Sequence, residues 1–274
     1  MIKKFNINDN TFIRYKVIGK GAPILLLHTI RNRLEYSYKV SDLLKNTYTL
    51  YLLELPGFGE SPINTSTRYD QKFFTNCIVD FIKENKLKNL IIAGESIGAV
   101  LSATTAFQLP KIVKKIFLFN PYDYDTYFGE GISRANLFAK FILFNISLPL
   151  VGNFFSSLEN KIILKNILRG GFFDNKCLSN EYLNLLCSSI KKNGYTYHFR
   201  NVLKNYKGWS ESKSFYSKLK IQTKLIYGDK DWANEINRNE TKTLLGLDNY
   251  NIINNCGHFS FLEKPREVAD ILNS

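Results

Sequence analysis

The chain opens on an alternating pattern. Ile13, Tyr15 and Val17 fall on one face of an extended segment, and Phe12, Arg14 and Lys16 on the other, the period-two mark of a strand with one buried side. Asn8-Asp9-Asn10 has turn chemistry, so residues 3–18 are expected to form an antiparallel hairpin. Beyond it the alternation stops. Short uninterrupted apolar runs take over at Ile24–Leu27, Leu50–Leu53, Leu90–Ala93, Val113–Phe119, Thr223–Tyr227 and Asn249–Ile253. Strands written this way are buried on both faces, as in a parallel sheet covered by helices.

Between the runs the period lengthens. Phe73, Phe74, Cys77, Ile78, Phe81 and Ile82 recur at helical spacing, and residues 266–272 close the chain similarly. Strand and helix in alternation predict an α/β fold: a mostly parallel central sheet of about eight strands, flanked by helices through right-handed crossovers. The rhythm breaks once, between Asn120 and Thr223. That gap is far longer than the dozen or so residues a crossover requires. It holds helical patterns, with Asn180 placed to cap a helix over 181–190, and it is rich in phenylalanine: Phe138, Phe141, Phe144, Phe154, Phe155, Phe172 and Phe173. An inserted helical cap over residues 122–215 is expected, with 1–121 and 216–274 forming the core.

Composition narrows the class. Of 274 residues, 45% are hydrophobic and 22% charged, which excludes a disordered or low-complexity chain. The most apolar stretch, 138–155, is interrupted by Lys140, Asn145, Pro149 and Gly152, so no run approaches the ~20 residues a bilayer span needs. The basic start MIKKFNINDN is followed by no apolar segment, so a secretory signal is not expected and the chain reads as cytoplasmic. A net charge of +13 raises the question of an anionic partner. The excess is spread along the chain, however, and Lys greatly outnumbers Arg, whereas base reading and bidentate phosphate binding favour Arg. A solvated basic surface is expected, without a nucleic-acid partner; weak contact with anionic membrane surfaces stays open, as does the oligomeric state.

Cys77, Cys177, Cys187 and Cys256 stand far apart, without metal-ligand spacing. They read as reduced buried thiols, and no metal or organic cofactor is expected. Cys256 lies two residues before His258, and residues that close rarely aim at one reacting atom, so it is a poor nucleophile.

The chemistry gathers elsewhere. Gly94-Glu95-Ser96-Ile97-Gly98 follows an apolar run and precedes the small-residue stretch 99–106. A serine on a sharp strand-to-helix turn is pushed clear of the sheet, with the new helix's N-terminus beneath it; the alternative is a structural turn with a helix-capping serine. A serine hydroxyl needs a base. Of the three histidines, His28 ends the first buried strand, His198 falls in the cap, and His258 follows the last strand. Loops at the carboxyl ends of a parallel sheet share one crevice, which favours His258. The base needs a carboxylate, and Asp231 is preferred to Asp229 because a tight glycine turn should separate strand from acid.

These segments resemble the α/β-hydrolase superfamily over nearly the whole chain. Gly19 to His28 is similar to its first buried strand and oxyanion loop, Glu54-Leu55-Pro56-Gly57-Phe58-Gly59-Glu60-Ser61 to its D-x-P-G-x-G-x-S turn, Gly228 to Asp231 to its acid loop, and Gly257-His258-Phe259 to its histidine loop. The resemblance implies a Ser96–Asp231–His258 triad, oxyanion donors at the Ile30 and Ile97 amides, and a lid in the long gap. Dehalogenases and epoxide hydrolases of the family carry Asp where this chain has Ser96, so acyl transfer is implied: hydrolysis of an ester, thioester or related bond. The alternatives are a carbon–carbon bond hydrolase with the same triad and a non-catalytic small-ligand receptor or pseudoenzyme. Where the family has His-Gly, this chain has His28-Thr29, and a β-branched residue does not take positive φ cheaply. His28, Thr29, Arg31, Glu95 and Trp232 are candidates for the substrate pocket; for Arg31 a solvated position in the first turn of a helix and for Trp232 plain packing are the alternatives. The Phe-rich lid suggests a small-molecule substrate with an apolar acyl or aromatic portion.

Overall fold

The computed structural model describes residues 1–8 and 11–274. Eight strands form one sheet: β1 (Ile2–Asn8), β2 (Thr11–Gly19), β3 (Ala22–Leu27), β4 (Tyr48–Leu53), β5 (Leu90–Glu95), β6 (Val113–Phe119), β7 (Gln222–Gly228) and β8 (Asn251–Ile253). Their order is β1-β2-β4-β3-β5-β6-β7-β8. The first two strands pair antiparallel, β2 pairs antiparallel with β4, and every later pairing is parallel. The expected hairpin is present, although its Asp9-Asn10 tip lies outside the described residues. Each apolar run became a strand, with the last shortened to begin at Asn251.

Burial explains the runs. Ile24, Leu25, Leu26 and Leu27 are all fully buried, as are Ile92 and Ala93 in β5 and Phe117, Leu118 and Phe119 in β6. A strand covered on both sides has no face left for polar residues. The chain leaves β3 toward β4 on one side and later places β5 on the other. Right-handed crossovers then put the helix Tyr38–Leu44 on one face of the sheet and Gln71–Glu84 and Ile97–Gln108 on the opposite face. Tyr38–Leu44 packs with the terminal helix Pro265–Leu272, and Gln71–Glu84 with Ile97–Gln108, as that arrangement requires. The direction reverses at β3, so the loops after β3 and β5 flank the crevice where open α/β sheets bind ligands.

Between β6 and β7 the structure holds helices and no strand among the described residues: Glu130–Ser133, Leu137–Ser147, Gly152–Ser157, Lys161–Arg169, Asn180–Ile190, Tyr195–Lys204 and Tyr206–Glu211, with two short 3-10 turns. Asn180 is the first residue of its helix and not the cap. The cap is Ser179, whose hydroxyl accepts from the Tyr182 amide at 3.1 Å. The sequence offered two adjacent capping residue types, and the serine took the role one position earlier.

The helical segment is tethered at the carboxyl ends of the strands. Lys192 donates to the carbonyls of Gly57 and Ser61 at 3.0 and 2.5 Å, and burial lowers its pKa to about 8. Arg33 donates to Leu185 O at 2.8 Å, and Trp232 Nε1 to Gly170 O at 3.1 Å. Arg14, expected on a polar strand face, is buried instead: Glu54 Oε2 lies 2.7 Å away, with Glu35 and Glu60 completing an ionic cluster. A guanidinium with several carboxylates offsets its own desolvation, which no alternation of residue types reveals.

Candidate active site

Ser96 occupies the turn between β5 and the helix Ile97–Gln108, with φ 61° and ψ −121°. Holding a non-glycine residue there costs about 1–3 kcal/mol. The flanking glycines are fixed by space. A Cβ on Gly94 would lie 2.1 Å from Gly98 O, and one on Gly98 would lie 2.5 Å from Leu27 O and 2.8 Å from His28 O. Strand, turn and helix approach too closely for any side chain, so this spacing of glycines follows from packing. The same closeness sets the start of the helix against the end of β3. Among the described residues, neither the Ile30 nor the Ile97 amide donates to a backbone carbonyl outside the regular helices and strands.

His258 lies in the loop after β8. Its amide donates to Gly171 O at 2.7 Å, and its Nδ1 stands 2.5 Å from Asp231 Oδ1. Both side chains are fully shielded from solvent. The second Asp231 oxygen accepts from the Ala233 amide at 2.9 Å. Asp229 is engaged elsewhere, accepting from the Cys256 amide at 3.0 Å, so the two aspartates of this loop separate by geometry. Trp232 stacks on the imidazole, ring centroids 3.8 Å apart and planes 12° apart. Cys256 is buried and its thiol pKa is raised by desolvation, which leaves an inert sulfur.

Ser96 Oγ and His258 Nε2 are both buried without a hydrogen-bond partner, including each other. Thr29 Oγ1, Tyr124 OH and Arg31 Nε and Nη2 are likewise unpartnered. Buried polar atoms usually find partners, and here the orphans include the chemical ends of the candidate nucleophile and base. Ser96 and His258 are wholly inaccessible in this closed arrangement.

The other candidates sort differently. The left-handed residue of the loop after β3 is Arg31, with φ 62°. Thr29 is not among the positive-φ residues described, so its branched side chain is no obstacle. Arg31 is neither solvated nor in a helix: its Nη1 lies 2.7 Å from Glu159 Oε1, both side chains buried, with the guanidinium 3.8 Å from the centre of the Phe199 ring. The pair is close but poorly aligned for a hydrogen bond. His28 and Glu95 do not supply free pocket groups. His28 Nε2 accepts from the Leu55 amide at 3.0 Å, so its Nδ1 donates to Thr29 O at 2.8 Å; burial pushes its pKa down to about 4. Glu95 accepts from Tyr36 OH, Asn120 Nδ2, the Ser260 amide and the Ser260 hydroxyl, and desolvation raises its pKa to about 7. It braces the turn from within. His198, in the helical segment, faces Pro56 O at 3.2 Å and is pushed down to about 3 by burial.

Asn120 was not apparent from the sequence. It sits just past β6 with φ 45°. Its Oδ1 accepts from the Gly228 amide at 2.8 Å while Nδ2 donates to Glu95 Oε1 and His258 O, each at 3.1 Å. One side chain thus ties together the turn before Ser96, the acid strand and the histidine loop. The only signal was an asparagine at a strand end, a residue type that tolerates left-handed backbone.

The sequence profile described as alpha/beta hydrolase fold matches residues 22–265, nearly the whole chain. The chain belongs to the α/β-hydrolase fold family. As an α/β hydrolase it is 24% identical over 301 aligned positions to bifunctional epoxide hydrolase 2 of Mus musculus, covering 95% of this chain and 52% of that protein. It is 26% identical to pimeloyl-[acyl-carrier protein] methyl ester esterase of Pseudoalteromonas atlantica over 40% of this chain and 41% of the esterase. The chain thus spans about half the length, or less, of these relatives. In shape it is similar to Cfl2 of Burkholderia cenocepacia, with TM-score 0.82, 18% identity and coverage of 99% and 94% of the two chains. That likeness concerns the fold alone.

Proposed function

We propose that this α/β hydrolase is a serine hydrolase that cleaves an ester, thioester or related acyl bond through a covalent acyl-enzyme. Ser96 Oγ attacks the carbonyl carbon while His258 Nε2 takes its proton. The imidazolium then delivers that proton to the leaving group, and a water activated by the same nitrogen releases the acid. Asp231, 2.5 Å from Nδ1, fixes the tautomer that leaves Nε2 free to accept. The Ile30 and Ile97 amides, which donate to no backbone carbonyl of the turns and loops, are the donors for the oxyanion. The observation that carries this reading is the pair of orphans: the hydroxyl of Ser96, whose backbone is held at positive φ, and His258 Nε2, both buried and both without a partner.

The serine itself argues against epoxide opening, whatever the names of relatives. Attack by a serine oxygen on an epoxide carbon would leave an alkyl ether, which water does not cleave under these conditions. A carboxylate nucleophile would leave an ester that water can hydrolyse. An acyl substrate gives Ser96 a hydrolysable intermediate.

Residues 122–215 are proposed as the lid. Nucleophile and base are fully buried, and the segment meets the histidine loop where the His258 amide donates to Gly171 O at 2.7 Å, so its movement there would admit substrate. The phenylalanines do not form an inner wall as a group: Phe138, Phe141, Phe144, Phe154 and Phe173 are exposed, and Phe172 alone of the seven is buried. What supports an apolar acyl portion is a seam of apolar side chains, Leu168, Phe172, Leu178, Leu186, Phe259 and Leu262, beside the histidine loop, packed shut in this arrangement with no room for a water molecule. Four unpaired cysteines support a reducing, cytoplasmic setting. Hydrolysis of p-nitrophenyl esters of rising chain length tests the function. Turnover that disappears in Ser96→Ala, with an optimum longer than acetate, is expected; full turnover in Ser96→Ala would refute it.

A further inference from the structure

The helix Leu137–Ser147 is apolar on two sides. Ala139, Ile142, Leu143 and Ile146 are buried against the protein. On the outer side Leu137, Phe141 and Phe144 are 85%, 57% and 63% exposed. They recur at spacings of four and three, so they share one face. The neighbouring helix Gly152–Ser157 extends that face: Phe155 packs edge-on against both Phe141 and Phe154, with centroids 6.4 and 5.7 Å away, and Phe154 is 61% exposed. Leu150, in the connection between the two helices, is 95% exposed. Isolated exposed apolar residues are ordinary, but a contiguous aromatic face on a soluble surface marks a contact site.

Charge selects the occupant. From residue 131 to 173 the only acidic residue is Glu159, and it is buried against Arg31. Lys140 lies on the same helix, one turn from Leu137 and Phe144, and Lys140, Lys161 and Arg169 of this stretch are all exposed. A second copy would bring the same cations against themselves in a two-fold contact. The apolar side chains also project outward, Leu137 and Leu150 almost free of neighbours, a shape suited to entering a soft interface. We propose that this face docks on an anionic lipid bilayer, the Phe and Leu side chains entering the acyl boundary while the lysines and Arg169 meet lipid phosphates. Vesicle binding is read without turnover, so the proposal stands or falls apart from the hydrolase assignment.

The test is co-sedimentation of the full chain with phosphatidylcholine vesicles and with vesicles containing phosphatidylglycerol. Binding to the anionic vesicles is expected, weakening as salt shortens the Debye length from about 10 Å toward about 3 Å. The variant F141S/F144S/F154S should lower the bound fraction by roughly tenfold with an unchanged melting temperature, as expected for apolar insertion. K140E/K161E should weaken binding to anionic vesicles. No binding of the unaltered protein at low salt would overturn the proposal, as would binding indifferent to the Phe substitutions. Light scattering that finds a dimer which F141S/F144S/F154S dissociates would assign the face to a second copy and overturn it as well.

Discussion

Trp232 lies flat against His258, indole over imidazole, with 3.8 Å between ring centroids. The indole is itself anchored by its Nε1 donating to Gly170 O at 3.1 Å. Its position next to the acid residue in the chain follows from the loop geometry: Asp231 reaches the edge of the imidazole and the next side chain covers its face. In the proposed cycle His258 becomes a cation, and an electron-rich face beside it favours that form by about 0.5–2 kcal/mol. Trp232→Ala is therefore expected to lower kcat by about tenfold with little change in KM, while Trp232→Phe keeps most of the rate. Steady-state kinetics on one ester distinguishes these outcomes from a purely structural role, which Phe would not rescue selectively in kcat.

The acid loop gives a second comparison. Asp231→Asn should cost about 10⁴ in kcat by analogy with triad enzymes, since an amide facing Nδ1 no longer enforces the tautomer. Asp229 accepts from the Cys256 amide and lies 3.8 Å from Lys230, away from the imidazole, so Asp229→Asn should leave turnover within a few-fold, on the usual scale of a partly exposed hydrogen bond. Equal losses in the two variants would show that the aspartate paired with His258 is not the orienting one.

The Arg31–Glu159 pair joins the loop that carries Ile30 to the helical segment. With both partners buried, removing either leaves an uncompensated charge, and Glu159→Leu should destabilise the protein by about 3–5 kcal/mol. The double variant Arg31→Met/Glu159→Leu should recover much of that loss. Urea denaturation of the four proteins closes the cycle, and additive losses would contradict a coupled pair.

Three buried carboxyl groups set a pH dependence. Desolvation raises Glu95 and Asp125 to about 7 and Asp123 to about 6. A group with a raised folded-state pKa adds stability below its unfolded value, near 4, and that contribution fades as pH climbs through the folded value. Melting temperature is expected to fall between about pH 4.5 and pH 7, with a shallower fall in Asp125→Asn. Glu35, Glu130 and Asp229 are shifted downward, so their contributions vanish only below the carboxylate range. A melting temperature rising through neutrality would contradict this assignment.

Much of this architecture was legible because burial writes itself into residue type. Continuous apolar runs gave the strands, and the glycines around Ser96 answer to a steric requirement that admits no other residue. Asp231 could be preferred to Asp229 from turn chemistry, and the geometry pairs it with His258. What escaped was set by tertiary pairing. Arg31 holds the left-handed turn expected to trouble Thr29, and its burial depends on Glu159, more than a hundred residues away. Arg14 is buried because three carboxylates converge on it from distant segments. The lid phenylalanines show the same limit: composition revealed that they were numerous, but only helix packing decides which way they face. Asn120 joins three loops through contacts with no local pattern.

The most direct measurement of the central claim is reaction with a fluorophosphonate probe, followed by intact mass and peptide mapping. A single adduct on Ser96 is expected, absent in Ser96→Ala and strongly slowed in His258→Ala. A folded protein that takes no label at Ser96, or labels equally fast without His258, would contradict an activated serine.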